Sequence, residues 1–342
     1  MTDFLAPAEE TIVEAPSPKG GGVLRYLLTK IGGALVSVAM VAVLGFLLFR
    51  VMPGDPVTTL TRGHPVTGAQ LVQLRHDLGL DKSLMAQFGD YIVNLLHGDF
   101  GQSYAYNRPV SAEIGDRIWP TVLLVGTATL IAAALGLWLG TKSAWHRGGK
   151  FDRSTVGIAL VLWSTPAFFI GHVLLMLTLK IDLFPTHGMQ DIDSPTAFFP
   201  HALDVAHHMI LPVFTLVAAI YGQYQLVMRA SLLEEMHSDY LTTARAKGLR
   251  DDQVRRRHAL PNALLPTVTL VFLHLGMVVS GAITVEAVFS WPGLGQLTFE
   301  ALKSQDLPLL QGIFIVLVIA VVVMNLIADV LLRFFDPRVR AS

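Results

Sequence analysis

Apolar residues in this chain come in runs too long and too continuous for a soluble core. A hydrocarbon layer about 30 Å thick is crossed by roughly twenty residues of helix, each rising about 1.5 Å. Six stretches reach that length: about Tyr26 to Phe49, Pro120 to Gly140, Thr155 to Leu179, Met209 to Met228, Leu264 to Val285 and Pro308 to Leu332. None alternates with the two-residue period of a barrel strand, so the pattern predicts an all-α, polytopic membrane protein with six transmembrane helices. The first run follows Arg25 like a secretory signal, but it is longer than a signal core. Phe49-Arg50-Val51-Met52-Pro53 offers no small-x-small cleavage site, so the run reads as a retained span. Residues 1–22 are rich in Pro, Glu, Ala and Gly without a period and predict a disordered tail, leaving 23–342 as one transmembrane domain.

The Lys and Arg residues between spans set the expected orientation. With both termini cytoplasmic, the inner segments hold seventeen basic residues and the outer ones eight. Six of those eight lie in the outer loop 50–119, which is long enough to escape the positive-inside rule. That loop carries its own helix signals. Thr67 with Gln70 makes a capping box, and Gly79 is a left-handed stop. Asp81 is expected to cap a second helix in which Leu84, Phe88, Ile92 and Leu95 recur at helical spacing until Gly98, and one face of it must be buried against the bundle or the bilayer surface. Trp119 sits where an interfacial aromatic belongs, and Pro120 is expected to open the next span.

Composition narrows the function. Charged residues are 15% of the 342, and 25 Lys+Arg nearly cancel 26 Asp+Glu, which argues against a nucleic-acid partner. No cysteine is present, so thiolate metal sites, disulfides and a cysteine nucleophile are excluded. The mean hydropathy of +0.54 again names lipid as a main solvent.

Candidate chemistry inside the spans is sparse. No G-x-x-x-x-G-K-[ST] phosphate cradle exists; Gly148-Gly149-Lys150 lacks both the first glycine and the hydroxyl residue, so any ATP must be hydrolysed by another chain. His172, His274 and Asp329 are the intramembrane ionisable candidates; each reads as a packed or paired side chain, with a proton relay as the alternative. No H-E-x-x-H or G-x-S-x-G gives a hydrolase a centre. Gly136 with Gly140, and Gly276 with Ser280, permit close helix contact, read as ordinary packing rather than a dimer seam.

The segment 229–263, between the fourth and fifth spans, is too long for a plain turn. Tyr240, Leu241 and Ala244 share one side of a short helix that Gly248 can end; Asp251 can cap a second helix that Pro261 is expected to stop after Leu260. Seven basic and five acidic residues argue against a purely polybasic lipid-binding segment and leave topology determination, partner docking or lipid contact open.

Asp239-Tyr240-Leu241-Thr242-Thr243-Ala244-Arg245-Ala246-Lys247-Gly248-Leu249, followed by Arg257-His258-Ala259-Leu260-Pro261, resembles the EAA loop of binding-protein-dependent ABC import permeases, in the dipeptide, oligopeptide and nickel branch. The general E-A-A…G…I-x-L-P pattern is met at Ala244, Gly248, Leu260 and Pro261. Thr242, Thr243 and His258 depart from it, as is similar in the peptide branch. Met52-Pro53-Gly54-Asp55-Pro56, Leu78-Gly79-Leu80-Asp81, Gly98-Asp99-Phe100-Gly101, Ser164-Thr165-Pro166, the stretch Glu286 to Gly295 and Asp336-Pro337-Arg338 extend the resemblance over roughly residues 24–340. Within the branch the chain is similar to the permease subunit with the longer outer loop.

The resemblance implies a six-helix permease of the type I ABC importer kind in a prokaryotic inner membrane, with no catalytic, cofactor or metal site of its own. It implies a homologous second permease, two cytoplasmic ATPase domains holding ATP and Mg, and an extracytoplasmic binding protein. The ATPase-coupling loop would comprise Asp239, Tyr240, Thr242, Thr243, Ala244, Ala246, Gly248, Leu249, His258, Leu260 and Pro261. Glu286, Phe289, Trp291, Pro292 and Gly293 would form an outer gate, with Glu286 facing water or a partner because burying its carboxylate is costly. Peptide is the first expectation for the solute, with a nickel chelate or another small solute as the alternative. An ion-coupled carrier, or an embedded scaffold or channel, would be the rival classes.

Overall fold

The computed structural model describes residues 23–51, 57, 67–77, 79–180 and 183–335, with backbone alone for 23–27, 48–51, 74, 77, 269, 272–281 and 329–335. The expected tail 1–22, the Met52 to Pro56 motif, the Asp336 motif, the side chains of His274, Ser280 and Asp329, and the contacts at Gly276 lie outside the described residues. Twelve α-helices follow in chain order among the described residues. They are α1 (Val23–Val51), α2 (Gly68–Asp77), α3 (Leu84–Leu96), α4 (Val110–Trp145), α5 (Lys150–Ser164), α6 (Ala167–Thr178), α7 (Phe198–Glu235), α8 (Asp239–Ala246), α9 (Asp251–Val254), α10 (Leu260–Val288), α11 (Leu294–Ser304) and α12 (Leu307–Phe335). No strand occurs among the described residues, only one isolated bridge from Gln102 to Pro109.

Helices α1, α4, α7 and α12 are each long and apolar enough to cross a bilayer. Helix α10 spans 29 residues, about 43 Å at the usual rise. The third expected span is not one straight helix. It breaks into α5 and α6, whose axes differ by 100°. Pro166 forces the break, because its ring disfavours helical geometry at the preceding residue, and Thr165 is extended at φ −92°, ψ 127°. The Ser164 and Thr165 hydroxyls donate back to the carbonyls of Leu160 and Val161, at 2.7 and 2.8 Å.

Two other prolines also behave differently from expectation. Pro120 does not open α4 but lies inside it, ten residues from the start at Val110. Burial of Val110 and Ile114 against Leu294, Leu297, Leu309 and Ile313 extends the helix upstream. The carbonyl deprived of a partner belongs to Asp116, an exposed residue that water can serve. Pro261 does not stop the second helix of the 229–263 segment. It stands near the start of α10, and a π turn over Arg255–Ala259 joins α9 to α10 without a break, taking up the missing backbone donor.

Helix α7 is the spine. It packs along α4, where Gly136 and Gly140 let the backbones meet: a Cβ on Gly136 would lie 2.5 Å from the Tyr224 Cβ, and one on Gly140 2.6 Å from the Gln225 carbonyl. The paired glycines thus serve packing within one chain. Gly222 of α7 does the same for α5, where a Cβ would stand 2.8 Å from the Ala159 carbonyl. The surrounding core joins Leu124, Ala128, Ala132, Met209, Leu216 and Tyr224. Helix α1 is peripheral: it lies along α12, buries Ala42 and leaves Leu35, Met40 and Leu47 exposed, the pattern of a lipid-facing helix.

In the loop before α4, the capping box forms as expected: the Thr67 N–H donates to Gln70 Oε1 at 2.8 Å and the Gln70 N–H to Thr67 Oγ1 at 3.4 Å. The cap of α3 is Ser83, whose Oγ accepts from the Ala86 N–H, and not Asp81, which lies two residues too early in the turn. Helix α3 rests on α1 through Phe88 and Tyr91, whose ring centroids are 5.2 and 5.6 Å from that of Phe46.

Candidate functional site

Two polar assemblies stand at the two ends of the bundle. The first surrounds the 229–263 segment. Leu241 and Ala244 of α8 are buried with Met228 and Leu232 of α7, Val254 of α9, and Ala259 and Ala263, so the short helix sits on an apolar platform. Tyr240, expected on the same side, is instead 38% exposed and leans across the segment. Its hydroxyl donates to the Glu235 carboxylate and accepts from Asn262 Nδ2 at 2.9 Å. Thr242, Thr243, Ala246, Gly248 and Pro261 are exposed, while Leu249, His258 and Leu260 are half-buried.

Helix α8 ends as the glycine predicts. Gly248 adopts φ +80°, a left-handed conformation that a Cβ disfavours. The Gly248 N–H donates to the Arg245 carbonyl at 2.9 Å and the Leu249 N–H to the Ala244 carbonyl at 3.4 Å, the paired bonds of a Schellman terminus. Across the turn, Arg245 Nε meets Asp251 Oδ1 at 3.1 Å. Arg250 is the N-terminal cap residue of α9, so Asp251 is its first helical residue, not its cap, and stabilises the helix dipole from there.

Beside this segment lies a linkage that linear spacing did not reveal. Asp152, only 3% exposed, accepts from Arg229 Nε at 2.7 Å and Nη2 at 2.8 Å, from the Gly148 N–H at 2.9 Å, and from the Ser143 hydroxyl. One carboxylate therefore ties α4, the α4–α5 turn, α5 and α7 together where the segment begins. The nearest signal was only that Asp152 and Arg229 both border apolar runs, 77 positions apart.

At the other end, Glu286 does not face water. It is fully buried, and its carboxylate accepts from the Thr121 hydroxyl at 2.8 Å and from the N–H groups of Gly295 and Gln296 at 2.7 and 3.2 Å. The expectation failed because the costly carboxyl is met by three donors of its own chain. Thr121 also accepts from the Leu294 N–H at 2.7 Å, and Trp291 Nε1 donates to the Pro120 carbonyl at 2.9 Å. Phe289 and Trp291 are buried, Pro292 is half-buried, and a Cβ on Gly293 would run into Glu286 and Thr121. The five residues are brought together, but as a packed joint between α4, α10 and α11. A second joint, also missed, is Asp306, which accepts from the Ser103 hydroxyl at 2.6 Å and the Ala105 N–H at 2.9 Å. His172, the described member of the intramembrane candidates, projects from α6 and bonds the Phe168 carbonyl at 2.8 Å.

Comparison with known proteins places this architecture. Residues 132–341 match the family described as the binding-protein-dependent transport system inner membrane component, and residues 23–125 match the N-terminal part of such membrane components. The chain is 36% identical over 321 residues to the glutathione transport system permease protein GsiC of Salmonella choleraesuis, covering 93% of this chain and 99% of that one. It is 34% identical over 336 residues to the dipeptide transport system permease protein DppB of Escherichia coli K12, with the same coverage of 93% and 99%. Among solved structures, an inward-facing form of the MetNI methionine ABC transporter aligns at a TM-score of 0.54 and 19% identity, over 65% of this chain and 96% of that one, a likeness of fold. The chain therefore belongs to the inner-membrane permease components of binding-protein-dependent ABC importers, in their dipeptide and oligopeptide branch.

Proposed function

We propose that this chain forms half of the translocation pathway of an ATP-driven importer of short peptides, and that α8 with its glycine turn is where a cytoplasmic ATPase engages it. The observation that carries the docking assignment is the division of α8 into two faces. Leu241 and Ala244 lock it to α7 and to the α9–α10 helix, while Thr242, Thr243, Ala246 and Gly248 are presented outward. A push on such an element reaches two long helices at once, since α7 begins to pack with α8 at Met228 and Leu232, and α10 continues from α9 without a break. The buried Asp152–Arg229 linkage supports the reading by stiffening the foot of α7 against α4 and α5. No bond-making chemistry falls to this chain: ATP and Mg belong to the partner ATPases, a homologous permease supplies the second half of the pathway, and an extracytoplasmic binding protein delivers the solute. Both termini would then face the cytoplasm, in keeping with the excess of Lys and Arg in the segments on that side.

Peptide is favoured as solute because the relatives above are named for glutathione and for dipeptides. Reconstituting this chain with its partner permease, ATPases and binding protein tests the reading. Uptake of a dipeptide is expected to require ATP hydrolysis and the loaded binding protein. Uptake driven by an ion gradient without the ATPases would overturn it.

A further inference from the structure

At the end of α7 away from α8, the fold gathers a histidine and two carboxylates. Asp204 and His208 stand one helical turn apart on one face of α7, and Asp191 comes from the segment that leads into that helix. One ligand atom from each of the three lies within 4.8 Å of those of the other two. The resemblance implied no metal site on this chain, and the Asp191 to Asp204 separation of 13 positions gave no sign of one. Backbone bonding closes it: the Asp191 N–H donates to Asp204 Oδ2 at 3.1 Å, which holds the incoming segment against the helix.

The imidazole is what separates this cluster from a patch of surface carboxylates. The His208 side chain is only 3% exposed, and its own helix orients it. Nδ1 lies 3.0 Å from the Asp204 carbonyl and 3.1 Å from Asp204 Oδ1. Two acceptors at one ring nitrogen place the proton there, so Nε2 of the neutral ring carries the free lone pair. Nε2 faces Asp191 Oδ1 at 3.6 Å, beyond hydrogen-bond reach. Two donors on one tetrahedral zinc, each about 2.0–2.1 Å from the ion, stand about 3.3 Å apart, so three donors within 4.8 Å close on a common ion by moving less than about 1 Å each. A carbonyl or carboxylate on the far nitrogen is also the usual support of a metal-bound histidine. An imidazole among the ligands favours zinc over calcium or magnesium, which take oxygen.

We propose that Asp191, Asp204 and His208 bind one zinc ion, with water in the fourth position on the side where Asp191, 77% exposed, opens to solvent. The ion is a staple. It fastens the segment 183–197 to α7, and that segment in turn reaches α10, because the Gly188 N–H donates to the Phe289 carbonyl at 3.0 Å. Phe184 of the same segment rests near His207 of α7, with ring centroids 6.0 Å apart. Zinc would therefore hold the approach to the Glu286 joint in place.

The test uses the assembled transporter in nanodiscs, purified through a tag free of histidine and stripped with a chelator that is then removed. Zinc chloride is titrated in, and bound metal is counted by mass spectrometry of the elements. The parent should hold one more zinc per copy of this chain than Asp191→Asn, and that zinc should bind at least about tenfold more tightly than any the variant keeps at the site. Asp191 is exposed, so the variant carries little risk to folding. Asp191→Cys supplies a thiolate in a chain that has no other, and with cobalt in place of zinc it should show thiolate-to-metal charge-transfer absorption that the parent lacks. Equal zinc in parent and Asp191→Asn, no zinc retained by the parent, or a cobalt spectrum of Asp191→Cys identical to the parent's would overturn the site. A transporter that imports dipeptide but holds no zinc here loses this staple alone and keeps the function proposed above.

Discussion

Replacing Gly248 separates folding from coupling. Its φ of +80° places any L-residue in the left-handed region, at a cost of about 1–2 kcal/mol. A Cβ there meets nothing within 4 Å, so no clash adds to that figure. The most that local opening can lose besides is the pair of terminal bonds at 2.9 and 3.4 Å, roughly 1 kcal/mol each in net terms. The ceiling is therefore about 4 kcal/mol, confined to a surface turn, while Leu241 and Ala244 stay on their platform. Gly248→Asp should insert and purify with its partners at near-parental yield. It also puts a charge on the exposed turn where an ATPase groove would close, so solute-stimulated ATPase activity and uptake should fall at least about tenfold, more than 1.4 kcal/mol of lost coupling. Gly248→Ala, which carries the strain without the charge, should fall between the two. Proteoliposome uptake alongside ATPase rate measures both. Unimpaired import by both variants would mean that no ATPase closes on this turn.

Three further outcomes follow from the polar joints. Arg229→Leu strands the buried Asp152 carboxylate and should cost about 3 kcal/mol, the low end for a broken buried pair because the guanidinium is 26% exposed; the double variant with Asp152→Asn should recover most of it in a thermal-unfolding assay. Glu286→Ala leaves the Thr121, Gly295 and Gln296 donors unpaired in a dry joint and should destabilise by about 3 kcal/mol or more, with Glu286→Gln milder because it keeps an acceptor oxygen, again read by thermal unfolding. Burial, and then the hydrogen bond to Glu300, pushes the Tyr106 phenol from 10.0 up to about 12. The stability tied to its neutral form is full below pH 10.0 and lost as pH rises through about 12, so Tyr106→Phe should flatten the stability profile across that window.

The membrane-crossing elements were legible because the hydrocarbon layer imposes one crude demand, length of apolar sequence, and the runs around Val36, Leu124, Leu216 and Val316 meet it. The turn at Gly248 and the box at Thr67 and Gln70 were legible because both are decided within a few residues. Proline was harder to read. At Pro166 the chain breaks, at Pro120 it runs on because an exposed Asp116 bears the lost bond, and at Pro261 a π turn absorbs the difference, so the surroundings decide what the ring does. The joints were illegible for another reason. Glu286 meets Thr121 across 165 positions and Asp152 meets Arg229 across 77, distances over which spacing carries no information. The general cost of a buried carboxylate argued for exposure at Glu286, and only the fold shows the donors that make burial tolerable.

Engagement of an ATPase by α8 can be tested directly because the chain contains no cysteine of its own. Ala246→Cys places one thiol on the exposed side of that helix. Oxidative cross-linking in membranes should join it to a single cysteine scanned along the ATPase surface, with a yield that changes when ATP binds. If no position on the ATPase is ever captured while Ala246→Cys still supports import, α8 does not engage it.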